Sequence, residues 1–347
     1  MQIIETSEDT VKNSIFETGK FLDLKKVSKI ALYTGTNGKE GCTCKCMGCY
    51  FGGIESEKYQ GNIDQINELQ EALPSLVSGL IFGNPDISVD TEFCNEVAHN
   101  FQKRKRDVAF NTSGIGGVKT LQKLLKGIDP RKVRFVDFSL DSIDNEKLAV
   151  LKNPNYTLEK VIDGIKYCNE LGIPTGVKPT IWTLNMNDNW RAYEEFCRKQ
   201  GVSRFTFHFG SVENITDNRM KHISEDNVMT IKNKYRNIGR MPQPLLTDEE
   251  FAEYSKNYKP RCWSGKGPLV LSLERDGIKA SAVCNVLTAI HPELIVDLKD
   301  GKVPLLKKKS LECPVGEKAF GFKSEKYHSV CRYYLYDAEI KEFRNDK

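Results

Sequence analysis

Four cysteines crowd into eight residues, Cys42-Thr-Cys44-Lys-Cys46-Met-Gly-Cys49, and Tyr50 follows directly. Three of them, Cys42, Cys46 and Cys49, have a C-x3-C-x2-C spacing. Three thiolates on one short loop can hold three irons of a 4Fe-4S cluster and leave the fourth iron open, whereas clusters held wholly by protein use four cysteines. An open iron is a place where a small molecule can bind and react. Two other uses of the same residues stand beside this one. Cys44 could complete a four-thiolate zinc knot, although zinc more often takes paired CxxC knuckles. A disulfide is the third reading. Residues 1–23 are polar and charged with no apolar h-region, so no secretion signal is expected there. Eleven cysteines without such a signal fit a reducing, cytoplasmic compartment and metal binding.

Stepping outward from the loop, strand-like and helix-like segments alternate from about residue 27 to 212. Strands are expected at Val27–Tyr33, Ser78–Phe82, Asp107–Phe110, Lys132–Phe138, Thr175–Ile181 and Arg204–Phe209. Helical periodicity covers Ile63–Leu73, Thr91–Lys105, Val118–Lys126, Leu158–Leu171 and Trp190–Lys199. Strands separated by helices of this length imply repeated βαβ units and a parallel sheet. The cysteine loop follows the first strand. A Pro-rich, charged stretch near 238–260 is the best boundary. It divides the chain into an N-terminal extension (1–26), an α/β domain (27–237) and a smaller C-terminal unit (238–347). The length of 347 residues accommodates that division.

Composition narrows the function class. Fifty-one Lys and Arg against 47 Asp and Glu leave a formal net charge of +4, so a nucleic-acid partner is not expected. The runs Lys103-Arg-Lys-Arg106 and Lys307-Lys-Lys309 read as solvated faces. No apolar run approaches the roughly 18 residues that span a bilayer, so no membrane partner is expected either.

The cysteine spacing resembles the cluster motif of the radical S-adenosylmethionine (radical SAM) superfamily. Gly48 stands where many members have an aromatic residue; a Gly-Cys-Tyr variant resembles some of them, including activases of glycyl-radical enzymes. The resemblance implies a partial (β/α)6 TIM-like barrel with six βαβ-type units. It also implies that S-adenosylmethionine chelates the open iron through its amino and carboxylate groups. One electron then cleaves a carbon–sulfur bond, and the 5′-deoxyadenosyl radical abstracts a substrate hydrogen. The protein positions, binds and excludes water while the cofactor does the hard chemistry.

Several turns after the expected strands fit that picture, since ligands of parallel α/β folds bind at the C-terminal strand ends. Gly83-Asn84-Pro85-Asp86 resembles the family's Gly-Gly-Glu-Pro-type turn, with Asn84 in place of the acid. Asn111-Thr112-Ser113-Gly114 is similar to its Thr-Asn-Gly turn. Ser139-Leu140-Asp141 matches a Ser-Leu-Asp that lies near the cofactor's ribose and carboxylate. The resemblance therefore places Tyr50, Gly83, Asn84, Pro85, Asn111, Ser113, Ser139, Asp141, Lys178 and His208 with the cofactor. Thr180 and Glu213 are further candidates for carboxylate or substrate contact. Plainer readings stay open: turn chemistry at 111–114, a helix cap at Asp141 and a structural histidine at 208.

Beyond the barrel lie Cys262, Cys284, Cys313 and Cys331. The alternating segment from Cys262 through Asp276-Gly277 to Cys284 reads as a β-hairpin with a cysteine at each outer end. It resembles the start of a SPASM or twitch extension, although six residues follow the glycine instead of four. That resemblance implies one auxiliary Fe–S cluster on these four thiolates, a second 4Fe-4S beside the catalytic one. Zinc or free thiols are the alternatives. Cys94, Cys168 and Cys197 fall in expected helices and read as buried small apolar residues.

Together these features point to a radical SAM oxidoreductase of the SPASM/twitch type. Its substrate would be a peptide, crosslinked or given a thioether, or a small molecule. A reductant such as flavodoxin or ferredoxin would supply the electron. Epimerisation and activation of a glycyl-radical enzyme are other outcomes of the same chemistry. A non-catalytic Fe–S or zinc protein is the reading from a different class.

Overall fold

A computed structural model describes residues 16–34, 46, 61–82, 86–209, 253, 269–281, 295–298 and 302–306. In chain order the elements are strand β1 (Phe16–Phe21), strand β2 (Lys29–Tyr33), helix α1 (Ile63–Ala72), β3 (Ser78–Phe82) and α2 (Thr91–Lys103). Then come β4 (Asp107–Thr112), α3 (Gly117–Leu124), β5 (Val133–Phe138), α4 (Asn145–Leu151) and α5 (Leu158–Glu170). β6 (Thr175–Val177), β7 (Thr180–Ile181), α6 (Trp190–Lys199), β8 (Arg204–Phe205) and β9 (His208–Phe209) complete the repeats. β10 (Leu269–Glu274), β11 (Gly277–Ser281), β12 (Val296–Asp297) and β13 (Pro304–Leu306) follow.

The expected α/β architecture is present as a partial, TIM-like barrel. β2, β3, β4, β5, β6 and β8 are parallel neighbours in sequence order. Each strand's successor is reached through a helix, the crossover that parallel pairing requires. Side chains sort by row. Leu32, Ile81, Phe110 and Val136 are fully buried on the helix side, against the buried faces of the helices, including Leu69, Val97, Phe101 and Leu121. Gly79 lets α2 press close, because a Cβ there would lie 2.7 Å from the Phe101 ring. Tyr33, Phe82, Asn111, Asp137, Gly176 and Arg204 pair one to the next across the strands and so share the opposite face.

Capping residues fix the helix starts. Asn62 and Gln65 form a reciprocal capping box at α1. Asp90, Asp144, Thr157 and Asn189 cap α2, α4, α5 and α6. α5 ends in a Schellman turn: Ile173 N–H reaches Cys168 C=O and Gly172 N–H reaches Asn169 C=O, with Gly172 at φ 72°. The cap after β5 is thus Asp144, and not Asp141.

Two expected strands are each split. Thr175–Ile181 divides into β6 and β7 because Pro179 has no N–H to continue the ladder. Arg204–Phe209 divides correspondingly: β8 pairs with β6, and β9 pairs with β7. α4 and β1 arise where no element was expected. β1 pairs antiparallel with β13. The hairpin β10–β11 is observed, turning at Arg275-Asp276. It joins the main sheet, since β10 runs parallel to β2 from Leu269↔Ile30 to Ser272↔Tyr33. Leu269, Leu271 and Leu273 are its buried side chains.

Candidate functional site at the C-terminal strand ends

The turns after β3 and β4 are tied together by one carboxylate. Asp86 is buried, and its Oδ2 accepts the Ser113 N–H at 2.6 Å. Its Oδ1 accepts the Ser88 N–H at 2.9 Å, and the Thr112 hydroxyl lies 3.5 Å from both oxygens. Thr112 Oγ1 in turn accepts the Gly114 N–H at 3.1 Å. Ser113 is therefore held by its backbone beside the preceding turn, and its Oγ accepts the Ile115 N–H at 3.3 Å.

Next along the edge, Lys178 leaves β6 with its N–H donated to Phe138 C=O at 2.8 Å. Its ammonium donates to Asn111 Oδ1 at 3.1 Å and pairs with Asp137 Oδ2 at 2.9 Å. It also lies 5.9 Å from the Phe82 ring centroid, and Phe82 stacks on Tyr33 at 4.9 Å. Asp137 is buried and also faces Arg204, whose guanidinium carbon sits 3.5 Å from the Phe135 ring centroid. The missing side chain of Gly176 makes this possible: a Cβ there would lie 2.1 Å from Asp137 Oδ1.

A third group surrounds Ser139 and Asp141. The buried Lys152 ammonium pairs with Asp141 Oδ2 at 2.8 Å and donates to Ser139 Oγ at 3.0 Å. The Tyr156 hydroxyl donates to Ser139 C=O, and the Tyr193 hydroxyl donates to Leu140 C=O at 2.7 Å. Asp141 Oδ1 accepts the Thr180 N–H at 2.9 Å, while the fully buried Asn185 donates to both Asp141 C=O and Thr180 C=O. Burial alone disfavours the Lys152 ammonium. Asp141, then Cys46 and Tyr156, outweigh that and hold its pKa well above the ordinary lysine value. Cys46 is half-buried, has no disulfide and packs against the core.

Six of the expected site residues thus lie along one edge: Asn111, Ser113, Ser139, Asp141, Lys178 and, paired with Thr180, His208. Asn111 and Lys178 touch directly. Cys42, Cys49, Tyr50, Gly83, Asn84, Pro85, Glu213, Cys262, Cys284, Cys313 and Cys331 lie outside the described residues. Asp86, Asp137, Lys152, Asn185 and Arg204 are the additions. An aspartate inside the apolar run Val133-Arg-Phe-Val-Asp-Phe138 is a readable signal. Lys152 follows the unexpected α4 and has none.

The radical SAM superfamily model matches residues 36–197, a stretch that contains the cysteine loop and the turns after β3, β4 and β5. Residues 36–197 are thus similar to the radical SAM superfamily. The fold agrees. Streptococcus suis SuiB bound to its precursor peptide SuiA superposes at TM-score 0.51 and 15% identity, over 71% of this chain and 58% of that one. SuiB bound to S-adenosylmethionine gives 0.55 and 13%, over 91% and 75%. Native anSMEcpe with bound AdoMet and a Kp18Cys peptide gives 0.57 and 12%, over 91% and 96%. At these identities the likeness is one of fold. No curated protein sequence matches significantly. Among the described residues no helix is long and apolar enough to cross a membrane.

The donor set fits the cofactors that such a domain implies. Cys46, the described member of the cysteine motif, sits on the core within electrostatic reach of a buried cation, which suits a thiolate ligand. The neighbouring edge supplies hydroxyl, amide, carboxylate and ammonium groups that a polar cofactor needs.

Proposed function

We propose that the chain is a radical SAM enzyme in which Cys42, Cys46 and Cys49 hold a 4Fe-4S cluster and the strand-end turns bind S-adenosylmethionine. The observation that carries this reading is the convergence of Ser113, Asn111–Lys178 and Ser139–Asp141 on the edge that the cysteine loop follows. Bound there, the cluster and S-adenosylmethionine would supply a 5′-deoxyadenosyl radical for hydrogen abstraction. The chain's own part is to hold the cofactor still. Asp86 fixes the backbone at Ser113, Asp137 fixes Lys178 over Asn111, and Lys152 fixes Ser139 and Asp141. Tyr50, Gly83, Asn84, Pro85 and His208 are placed with the cofactor by the motif resemblance.

We assign the hydrogen abstraction to an oxidative modification, with Cys262, Cys284, Cys313 and Cys331 holding an auxiliary cluster. Substrate oxidation releases an electron that such a cluster can accept. A peptide substrate is favoured over a small molecule. The support is the fold shared with SuiB, which binds the precursor peptide SuiA, and with anSMEcpe, which binds the Kp18Cys peptide. The reductant would be a flavodoxin or ferredoxin, and the compartment cytoplasmic.

Anaerobic reconstitution with iron and sulfide counting tests the ligand assignment. From the four-iron, four-thiolate rule, wild type should hold about eight irons and a Cys42/Cys46/Cys49→Ala triple variant about four. Stoichiometric zinc, or iron content unchanged in the triple variant, would contradict it.

A further inference from the structure

The edge of the parallel sheet opposite the site turns carries a charge that the chain as a whole does not. Residues 22–29, 73–77, 103–107 and 125–134 lead into β2, β3, β4 and β5. Together they hold eleven Lys and Arg, three Asp and no Glu, a net +8 within a chain of net +4. Hydrogen bonds set these segments side by side in sheet order. The Val77 N–H donates to Ser28 C=O at 2.9 Å, and the Asp107 N–H donates to Val77 C=O at 3.1 Å. The Ser75 hydroxyl donates to Val27 C=O at 3.1 Å, and Gln102 Nε2 donates to Asp129 C=O at 3.1 Å. The three carboxylates are already matched: Asp23 with Lys26 at 3.5 Å, Asp107 with Lys132 at 3.7 Å and Asp129 with Arg131 at 3.0 Å. Lys25, Lys29, Lys103, Arg104 and Lys105 are exposed and form no ion pair among the described residues. Each basic segment alone reads as a solvated face; the fold gathers three of them onto one edge. Between two of them lies Val77, a large apolar side chain left 54% exposed.

We propose that this edge is a docking surface for an acidic protein, whose carboxylates lie over Lys25, Lys29, Arg104 and Lys105 and whose apolar side chain covers Val77. Like charges on adjoining loops repel one another and weaken the free fold; carboxylates from a partner relieve that repulsion and speed encounter. The exposed valine among the cations favours a protein over a nucleic acid, because a phosphate backbone offers it no apolar surface to bury against. Strands of five or six residues separate the two sheet edges by about 15–20 Å, at roughly 3.3 Å per residue. The docked partner therefore leaves the turns that bear Ser113, Ser139 and Lys178 open. The inference does not depend on the chemistry proposed for those turns.

The test is fluorescence anisotropy of a labelled Glu–Tyr copolymer with the full chain at about 0.1 M salt, where the screening length is about 10 Å. The copolymer should bind wild type roughly tenfold more tightly than Lys25→Glu/Lys29→Glu/Arg104→Glu/Lys105→Glu, the loss expected when complementary charges become like charges. Lys119→Glu/Lys123→Glu/Lys160→Glu/Lys166→Glu makes the same charge change at exposed positions of α3 and α5 and should bind like wild type. Val77→Ser should weaken the copolymer and leave binding of a labelled poly-Glu chain unchanged. If the four glutamates prevent folding, glutamine at the same four positions takes their place, with a smaller loss expected. The proposal is overturned by a wild type that does not bind the copolymer, by an equal loss in the α3/α5 variant, or by a copolymer affinity that Val77→Ser leaves untouched. A labelled DNA duplex bound more tightly than the copolymer overturns it in favour of a nucleic-acid partner.

Discussion

Asp86 holds two turns in place, accepting the Ser113 and Ser88 N–H groups while shielded from water. Hydrogen bonds to a buried charged group are worth about 1.5–3 kcal/mol each. Asp86→Ala should lower unfolding free energy by about 2–4 kcal/mol on that scale, measured by urea denaturation. It should also weaken S-adenosylmethionine binding, because Ser113 loses its anchor. Cys168 and Cys197 make a second prediction. Burial pushes both thiols up to about 12, and for Cys197 the Tyr193 hydrogen bond only partly opposes this. Both should resist iodoacetamide at pH 8 in the folded protein and react in urea, read by mass spectrometry. Their unfolded pKa is about 8.5, so the unfolded chain loses these protons first and stability should fall as pH rises from about 8.5 towards 12. Cys168→Ala/Cys197→Ala should flatten that decline. Their burial was readable from helical spacing. Asp86 was visible within an Asn-Pro-Asp turn, but its reach to Ser113 depends on β3 and β4 lying side by side, which spacing alone does not reveal.

At the scale of elements, the strand row Asn111–Asp137–Gly176–Arg204 explains why β6 carries a glycine. Gly176→Ala would put a methyl 2.1 Å from Asp137 Oδ1 and 3.0 Å from Arg204 Cβ. Overpacking of this kind costs about 1–3 kcal/mol. The melting temperature should drop, and S-adenosylmethionine affinity should fall; Gly172→Ala, strained by its φ of 72° but far from this row, should lower stability without lowering affinity. The strands were legible from short β-branched and aromatic runs, and the helices from apolar periodicity ending at glycine or proline. The breaks at Lys178-Pro179 and Thr206-Phe207 were not. A proline among apolar residues looks like a strand interior until its partner strand shows the missing donor. α4 carries no clear periodic signal because its seven residues depend on the Asp144 cap more than on periodicity.

Across the whole molecule, the C-terminal hairpin is a wall of the barrel. β10 covers the edge of β2 that would otherwise present unpaired backbone. Gly61 packs directly against it: a Cβ there would lie 2.4 Å from Thr34 C=O and 2.7 Å from Leu273. Gln65 Nε2 donates to Glu274 C=O at 2.6 Å. Leu273→Ala should therefore cost about 2–5 kcal/mol and speed amide exchange at the start of α1 as well as in the hairpin, read by hydrogen–deuterium exchange. The sequence announces the hairpin through its alternating apolar residues and the Asp276-Gly277 pair at its tip, yet its docking on β2 joins segments more than 200 residues apart, and no local pattern encodes that. The measurement closest to the central claim is 5′-deoxyadenosine formation under anaerobic conditions with dithionite and S-adenosylmethionine, compared between wild type and the Cys42/Cys46/Cys49→Ala variant. The account predicts 5′-deoxyadenosine and methionine from wild type and neither from the variant. No 5′-deoxyadenosine from the iron-loaded wild type, or equal amounts from both proteins, would contradict it.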